Sequence, residues 1–286
     1  MRKMKIALSP GSIGVESTQE EAIGLAHYFG YEAVQPNGRE LAAFSSTRLS
    51  EFPGELSAFG LVWAAAGLGV DFRKDEPLFQ EGLRNWSREV KALQQAGVTR
   101  VGTWIMPTHD SLTYIQNFKQ HVRRLREVAL IAEGHGMRLG LEYVGTKSLW
   151  SSKTFPFVHT MVETQELIAD IGNPNVGFVL DSWHWWTAEE GSADILALRN
   201  EDVVSCDLND APGGIPRDKQ HDTSRELPLA TGVIPIKDFL EALVQIGYNG
   251  PVRAEPFNKR LNALSNEEAC SETIIAMRKA FSVIGG

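Results

Sequence analysis

Asp181 and His184 stand three residues apart in GFVLDSWHWW, directly after a short and nearly all-apolar run, 177–180. A strand buried on both faces reads this way, and a carboxylate plus an imidazole at its carboxyl end could ligate a metal or move a proton. The pattern recurs. RLGLEYVG ends in Glu142, VVSCDLNDAP carries Asp207 and Asp210, and PVRAEPF ends its apolar run at Glu255. Adjacent strands lie about 4.8 Å apart, so carboxylates at four neighbouring strand tips can converge on one point. Like charges that close raise one another's pKa, and a cation is the economical remedy. An all-oxygen shell suits a hard ion such as Mg²⁺ or Mn²⁺, whereas Zn²⁺ prefers nitrogen or sulfur. The expected cofactor is therefore a divalent metal held by Glu142, Asp181, Asp207 and Glu255, with Mg²⁺ or Mn²⁺ favoured and Zn²⁺ the alternative.

Each acid also has a plainer reading. Glu142 can be an exposed acid at a strand end, although Gly140 beside it leaves room inside a barrel. Asp181 can cap a helix starting near Ser182. Glu255 can be an ion-pair partner of Arg253, which alternation puts on the same side of the strand. Asp207 can be a structural acid bonded to loop amides before Pro212. Asp210 is either the functional acid of that turn or the turn former in Asn209-Asp210-Ala211-Pro212.

The elements that must hold these tips alternate along the chain. Strands are expected at 5–9, 31–35, 61–66, 100–106, 137–144, 176–181, 203–208 and 252–255. Thr18 with Glu21 is a capping box for the first helix, which Gly30 closes. Helices are also expected at 45–59 (broken near Pro53-Gly54), 76–96, 110–133, 160–171, 193–199, 236–246 and 266–283. Strict alternation implies parallel strands with right-handed crossovers. Eight units favour one closed (β/α)8 TIM barrel, an α/β fold, as a single domain over 1–286.

Composition limits the partners. A formal net charge of -8 argues against a duplex-binding surface or an anionic membrane, so neither nucleic acid nor a membrane is expected. No stretch approaches the roughly 18 apolar residues of a membrane span. The apolar part of MRKMKIALSPG is too short for a signal-peptide core. Two cysteines in no metal-binding spacing fit a reducing, cytoplasmic setting.

The order Glu, Asp-x-x-His, acidic strand, Glu resembles the sugar phosphate isomerase/epimerase family with the xylose isomerase-like TIM barrel. The resemblance spans nearly the whole chain and is most specific at LGLEYVG, VGFVLDSWHWW, LNDAP and RAEPF. It implies a metal-dependent isomerase or epimerase of a sugar, keto-sugar or cyclitol that works by proton abstraction beside a carbonyl, via an enediolate. By the same resemblance Glu142 and Glu255 are the catalytic acid/base pair as well as ligands. The family writes its strand-seven motif close to HLNDAP. Asp207 stands where that His would be, so it either ligates in its place, leaves a water there, or marks a lost metal; the first is preferred here. His184 matches a substrate-contacting His. Arg225 and Arg217 lie where relatives place a substrate-binding Arg, and Arg225 is preferred because D-x-x-R-x-L-P surrounds it. Lys147, His221 and Trp104, with Trp183, Trp185 and Trp186 as an apolar floor, are further substrate candidates. Gln35 replaces a Glu common in relatives. The alternatives are a lyase or dehydratase on the same site, or a sugar-binding barrel without its metal; homo-oligomers are common in the family.

Overall fold

The structure, a computed structural model, describes residues 3–285. Residues 1, 2 and 286 of the expected 1–286 domain lie outside the described residues. The strands are β1 Lys5–Leu8, β2 Ala33–Val34, β3 Val62–Trp63, β4 Ala66–Gly67, β5 Arg100–Trp104, β6 Thr108–His109, β7 Arg138–Glu142, β8 Phe155–Pro156, β9 Val176–Asp181, β10 Val203–Asp207 and β11 Pro251–Arg253. Nine of them form one sheet in the order β3-β2-β1-β11-β10-β9-β7-β5-β4, with parallel pairing between neighbours. Its two ends, β3 and β4, are consecutive pieces of one segment separated only by Ala64 and Ala65. The sheet thus closes on itself as the expected α/β barrel, the third strand giving its first half to β2 and its second to β5.

Burial explains the strands nearest the chemistry. All residues of β9 and of β10 are buried, as a parallel sheet covered by helices requires. The interior is crowded. A Cβ added to Gly140 would lie 2.7 Å from Cγ2 of Val179 and 3.1 Å from Cβ of Val204, and one added to Gly102 would lie 3.0 Å from the same Val179 methyl. Glycine on β5 and β7 therefore admits Val179 to the barrel axis.

Helix ends follow the predicted chemistry. The helix Gln19–Phe29 has its Thr18/Glu21 capping box and stops at Gly30, whose φ is 73°. Three expectations need correcting. The helix Ser46–Ala58 runs unbroken through Pro53, because Leu49, Phe52 and Leu56 are buried and their packing outweighs the one backbone donor lost at proline. The helix expected from 110 begins at Tyr114, capped by Thr113 and Gln116; residues 108–109 pair instead with β8 in an antiparallel ribbon. The last strand ends at Arg253 rather than 255, since the Glu255 amide donates to Oδ1 of Asn209 instead of to a ladder partner.

Register sets the strand tips level. Asp207 pairs across with both Asp181 and Arg253, and Trp104 with Glu142. A bulge between Val203 and Ser205 in β10 brings this about, a device that re-aims side chains near sites. Gly140→Ala should cost roughly 1–3 kcal/mol by overpacking against Val179, measured by urea unfolding, with partial recovery when Val179→Ala is added. An unchanged midpoint would mean that the barrel interior is looser than described.

Candidate functional site

Four strands end in the site. Oxygens of Glu142, Asp181, Asp207 and Glu255 all lie within 4.8 Å of one another. Glu142 closes β7, Asp181 closes β9 and Asp207 closes β10, while Glu255 follows β11 by two residues. The first three are buried and Glu255 is partly buried. A cavity of about 170 Å³ opens on this cluster, lined by Trp104, Glu142, Arg253, Glu255 and Gly67 among others. Gly67 also lines a wider cleft of about 990 Å³ over the loops after β1 and β2, to which Gln35 contributes.

Two guanidinium groups stand inside the acidic cluster. Arg225 is buried, and its Nη1 donates to Oδ2 of Asp181 at 2.6 Å and lies 3.4 Å from Oε2 of Glu255. Its Nη2 donates to Nε2 of His184 at 3.0 Å and to Oδ1 of Asp222 at 2.7 Å. Arg253 donates through Nε and Nη2 to the two oxygens of Asp207, at 2.5 and 2.9 Å. The same Nη2 is 3.4 Å from Oε1 of Glu255. Burial alone would lower the pKa of Arg225, but Asp181, Asp222 and Glu255 outweigh it and hold the group charged.

The acids respond to burial and to each other. Glu142 is raised well above the ordinary carboxylate range by burial first, then by Glu255, Asp207 and Asp181. Burial lifts Glu255 to about 7, with Arg253 opposing and Asp207 adding to the rise. His184 is pushed down to about 4 by burial, Asp181 opposing and Arg225 assisting. The imidazole is thus neutral. Its Nε2 accepts from Arg225, which puts the proton on Nδ1, and Nδ1 has no protein partner.

The remaining carboxylate contacts are structural. Oδ1 of Asp181 accepts from the Trp183 amide at 2.7 Å, capping the helix Ser182–Thr187, and from Nδ2 of Asn209 at 3.1 Å. Asp181 is therefore both a helix cap and a member of the cluster. Bonding to loop amides belongs to Asp210: its carboxylate accepts from the amides of Ala211, Thr231, Gly232 and Ile234.

The other predicted residues divide. His184 and Arg225 join the cluster. Trp104, 38% exposed, lines the cavity beneath the Arg73 guanidinium, 4.4 Å from its ring. Arg217 lies outside, over the Trp186 ring at 4.7 Å, and Lys147 is exposed, 3.9 Å from Asp218. His221 is exposed in the same loop. Trp183 and Trp185 are core residues whose indole N–H groups reach Thr146 and Gly191. Sequence reasoning missed Asp222, whose only signal was its place three residues before Arg225. It also missed the partnership of Arg253 with Asp207, and Asn209, which joins the tips of β9 and β11.

The chemistry of the donors bears on a metal. The four carboxylates offer oxygen donors, with the His184 nitrogen beside Glu142 and Asp181 as a further one. Oε1 of Glu142 is buried without a hydrogen-bond partner, Nε2 of His184 lying 3.9 Å away, as an atom awaiting a ligand would be. Glu142, Asp181 and Glu255 fit a hard divalent cation on that account. Asp207 is already held by the Arg253 fork, and Asp181 by Arg225 through Oδ2 and by the Trp183 amide and Asn209 through Oδ1.

The family profile of the xylose isomerase-like TIM barrel matches residues 23–280. The chain belongs to that family. The inosose isomerase of Bacillus subtilis is 26% identical over 220 residues, 73% of this chain and 74% of its own length. The xylose isomerase domain protein of Alicyclobacillus acidocaldarius has a TM-score of 0.84 at 30% identity, covering 99% of this chain and 100% of that one. The IOLI protein, solved with a zinc atom bound, superposes with a TM-score of 0.81 at 22% identity over 98% of each chain; that likeness is one of fold.

A pH dependence of stability follows from Glu255. Its carboxyl titrates near 4.5 when unfolded and at about 7 in place, so the folded chain holds the proton to higher pH. Stability present below pH 4.5 is lost as pH rises towards 7, at no more than about 1.4 kcal/mol per pH unit. Urea titrations in chelator should show this slope in the wild type and its reduction in Glu255→Gln. Parallel curves would remove the assigned burial cost.

Proposed function

We infer that the chain is an isomerase or epimerase of a small polyhydroxylated ketone, a sugar or cyclitol. The observation that carries the reading is Glu142: a buried carboxylate with one oxygen lacking a hydrogen-bond partner, in a cavity shared with a second carboxylate, Glu255, and with the Arg253 guanidinium. The inosose isomerase relatives support the substrate class, and the family supports the reaction class. A net negative pocket fits a neutral polyol ketone. Among the described residues no helix is long and apolar enough to cross a membrane, and the cytoplasm is the proposed setting.

The chain's own groups supply the steps. Ionised Glu142, a stronger base than an ordinary carboxylate because burial favours its neutral form, takes the proton on the carbon beside the carbonyl, and the C–H electron pair moves into an enediolate. The Arg253 guanidinium lines the same cavity and, with Arg225 behind Asp181, supplies positive charge near where negative charge develops, which is where preorganised groups matter most. Glu255, with a pKa of about 7, is poised to return a proton near neutral pH. Return to the opposite face of the same carbon gives an epimer; return to the neighbouring carbon, with transfer of a hydroxyl proton, gives the isomer. Neutral His184 and Trp104 orient the hydroxyls and ring. A divalent ion, when bound by Glu142, Asp181 and Glu255, supplies Lewis-acid polarisation of the carbonyl; the oxygen donors favour Mg²⁺ or Mn²⁺, with Zn²⁺ the alternative.

Incubation with inosose and with free ketohexoses in D₂O, followed by NMR and mass spectrometry, is the test. The expected product is an isomer carrying solvent deuterium at the carbon beside the carbonyl, and Glu142→Gln should retain less than about a tenth of the exchange rate. A product lighter by one water would make the enzyme a dehydratase. Substrate binding without exchange would make the barrel non-catalytic.

A further inference from the structure

Asp207 differs from its three neighbours in the cluster: both of its oxygens are taken by one fork. Nε and Nη2 of Arg253 grip Oδ1 and Oδ2 in parallel, the arrangement that matches a guanidinium to a carboxylate most closely. The pair is set by the sheet. Asp207 and Arg253 are direct partners across adjacent parallel strands, and Asp207 is fully buried, so its carboxylate has no solvent to turn to. Nη2 then extends the contact to Oε1 of Glu255. On the far side, Oε1 of Glu142 has no hydrogen-bond partner, with Nε2 of His184 3.9 Å away. Both oxygens of Asp181 are bonded as well, Oδ2 to Nη1 of Arg225 and Oδ1 to the Trp183 amide and Asn209, but by separate donors, so a cation displaces a single contact there and a paired fork only at Asp207.

We propose that Asp207 is the counter-ion of Arg253 and not a metal ligand, so that Arg253 occupies the fourth place of the cluster and a divalent cation is held by Glu142, Asp181 and Glu255 alone. This rests on the reading that the cluster takes a divalent cation. For Asp207 to ligate, the ion would have to approach the guanidinium that holds both its oxygens, or displace one N–H and leave a buried donor unpaired. A three-carboxylate grip is weaker than a four-carboxylate one and leaves more positions to be filled by water or by substrate hydroxyls. Arg253 is thus a positioning residue that keeps the ion on the Glu142 side and its shell open to the polyol.

The test is Mn²⁺ titration of the full chain, followed by calorimetry and by the EPR signal of free Mn²⁺. Arg253→Met frees Asp207 to add a fourth charged ligand and should tighten Mn²⁺ binding at least about tenfold. That variant buries an uncompensated carboxylate, so Asp207→Asn/Arg253→Met is measured beside it. The double variant removes both charges at nearly constant shape and should bind Mn²⁺ within about threefold of the wild type. Loss of about tenfold or more in the double variant, or no tightening in a folded Arg253→Met, would show Asp207 to be a ligand and overturn the proposal. Absence of Mn²⁺ binding in all three proteins would instead overturn the metal reading beneath it, and the proposal with it.

Discussion

Mutual repulsion among four carboxylates, with oxygens within 4.8 Å of one another, is the constraint around which the carboxyl end of this barrel is arranged. Burial makes that repulsion larger, since solvent no longer screens it. Two arginines answer it from opposite sides. Arg225 comes from the long loop after β10 and holds Asp181, His184 and Asp222. Arg253 comes from β11 itself and holds Asp207. Glu255 lies between them, within reach of both, and Glu142 is left with an unclaimed oxygen.

The surrounding structure exists to keep that geometry. The bulge in β10 and the parallel register put Asp181, Asp207 and Arg253 on one level. Asn209 ties the Asp181 carboxylate to the Glu255 amide. Asp210 gathers four loop amides and so fixes the base of the loop from which Arg225 returns. Past Glu255 the chain turns at Phe257 with φ of 42°, a region non-glycine residues enter at a cost; its ring packs 4.8 Å from the Arg225 guanidinium. Strained backbone and buried charge meet at the same place.

Much of this was legible in the sequence, for identifiable reasons. The step from an apolar run to an acid at Glu142, Asp181 and Asp207 is a local signal, because a strand end and a buried site coincide there. Capping at Thr18 and termination at Gly30 are equally local. Gly140 was readable as interior space because a residue without Cβ in a packed strand has few other uses. What escaped was non-local. Pairing of Arg253 with Asp207 spans 46 residues and depends on strand order, so alternation pointed only to the Glu255 contact, which is also present at 3.4 Å. Asp222 reads as an ordinary loop acid until Arg225 is known to be buried. Pro53 misled because the packing of three apolar neighbours is invisible to a rule about one residue. The split of the third strand between two partners follows from barrel closure, which no local window contains.

A cation gathered by the cluster from its Glu142 side is the central requirement of the proposed chemistry. The most direct measurement is an anomalous difference map at the manganese edge from crystals grown with Mn²⁺ and a polyol ketone. The predicted result is one peak bounded by Glu142, Asp181 and Glu255, with the Arg253 fork still closed on Asp207. A peak coordinated by Asp207, or arginine side chains filling a pocket that takes neither ion nor ketone, would contradict it.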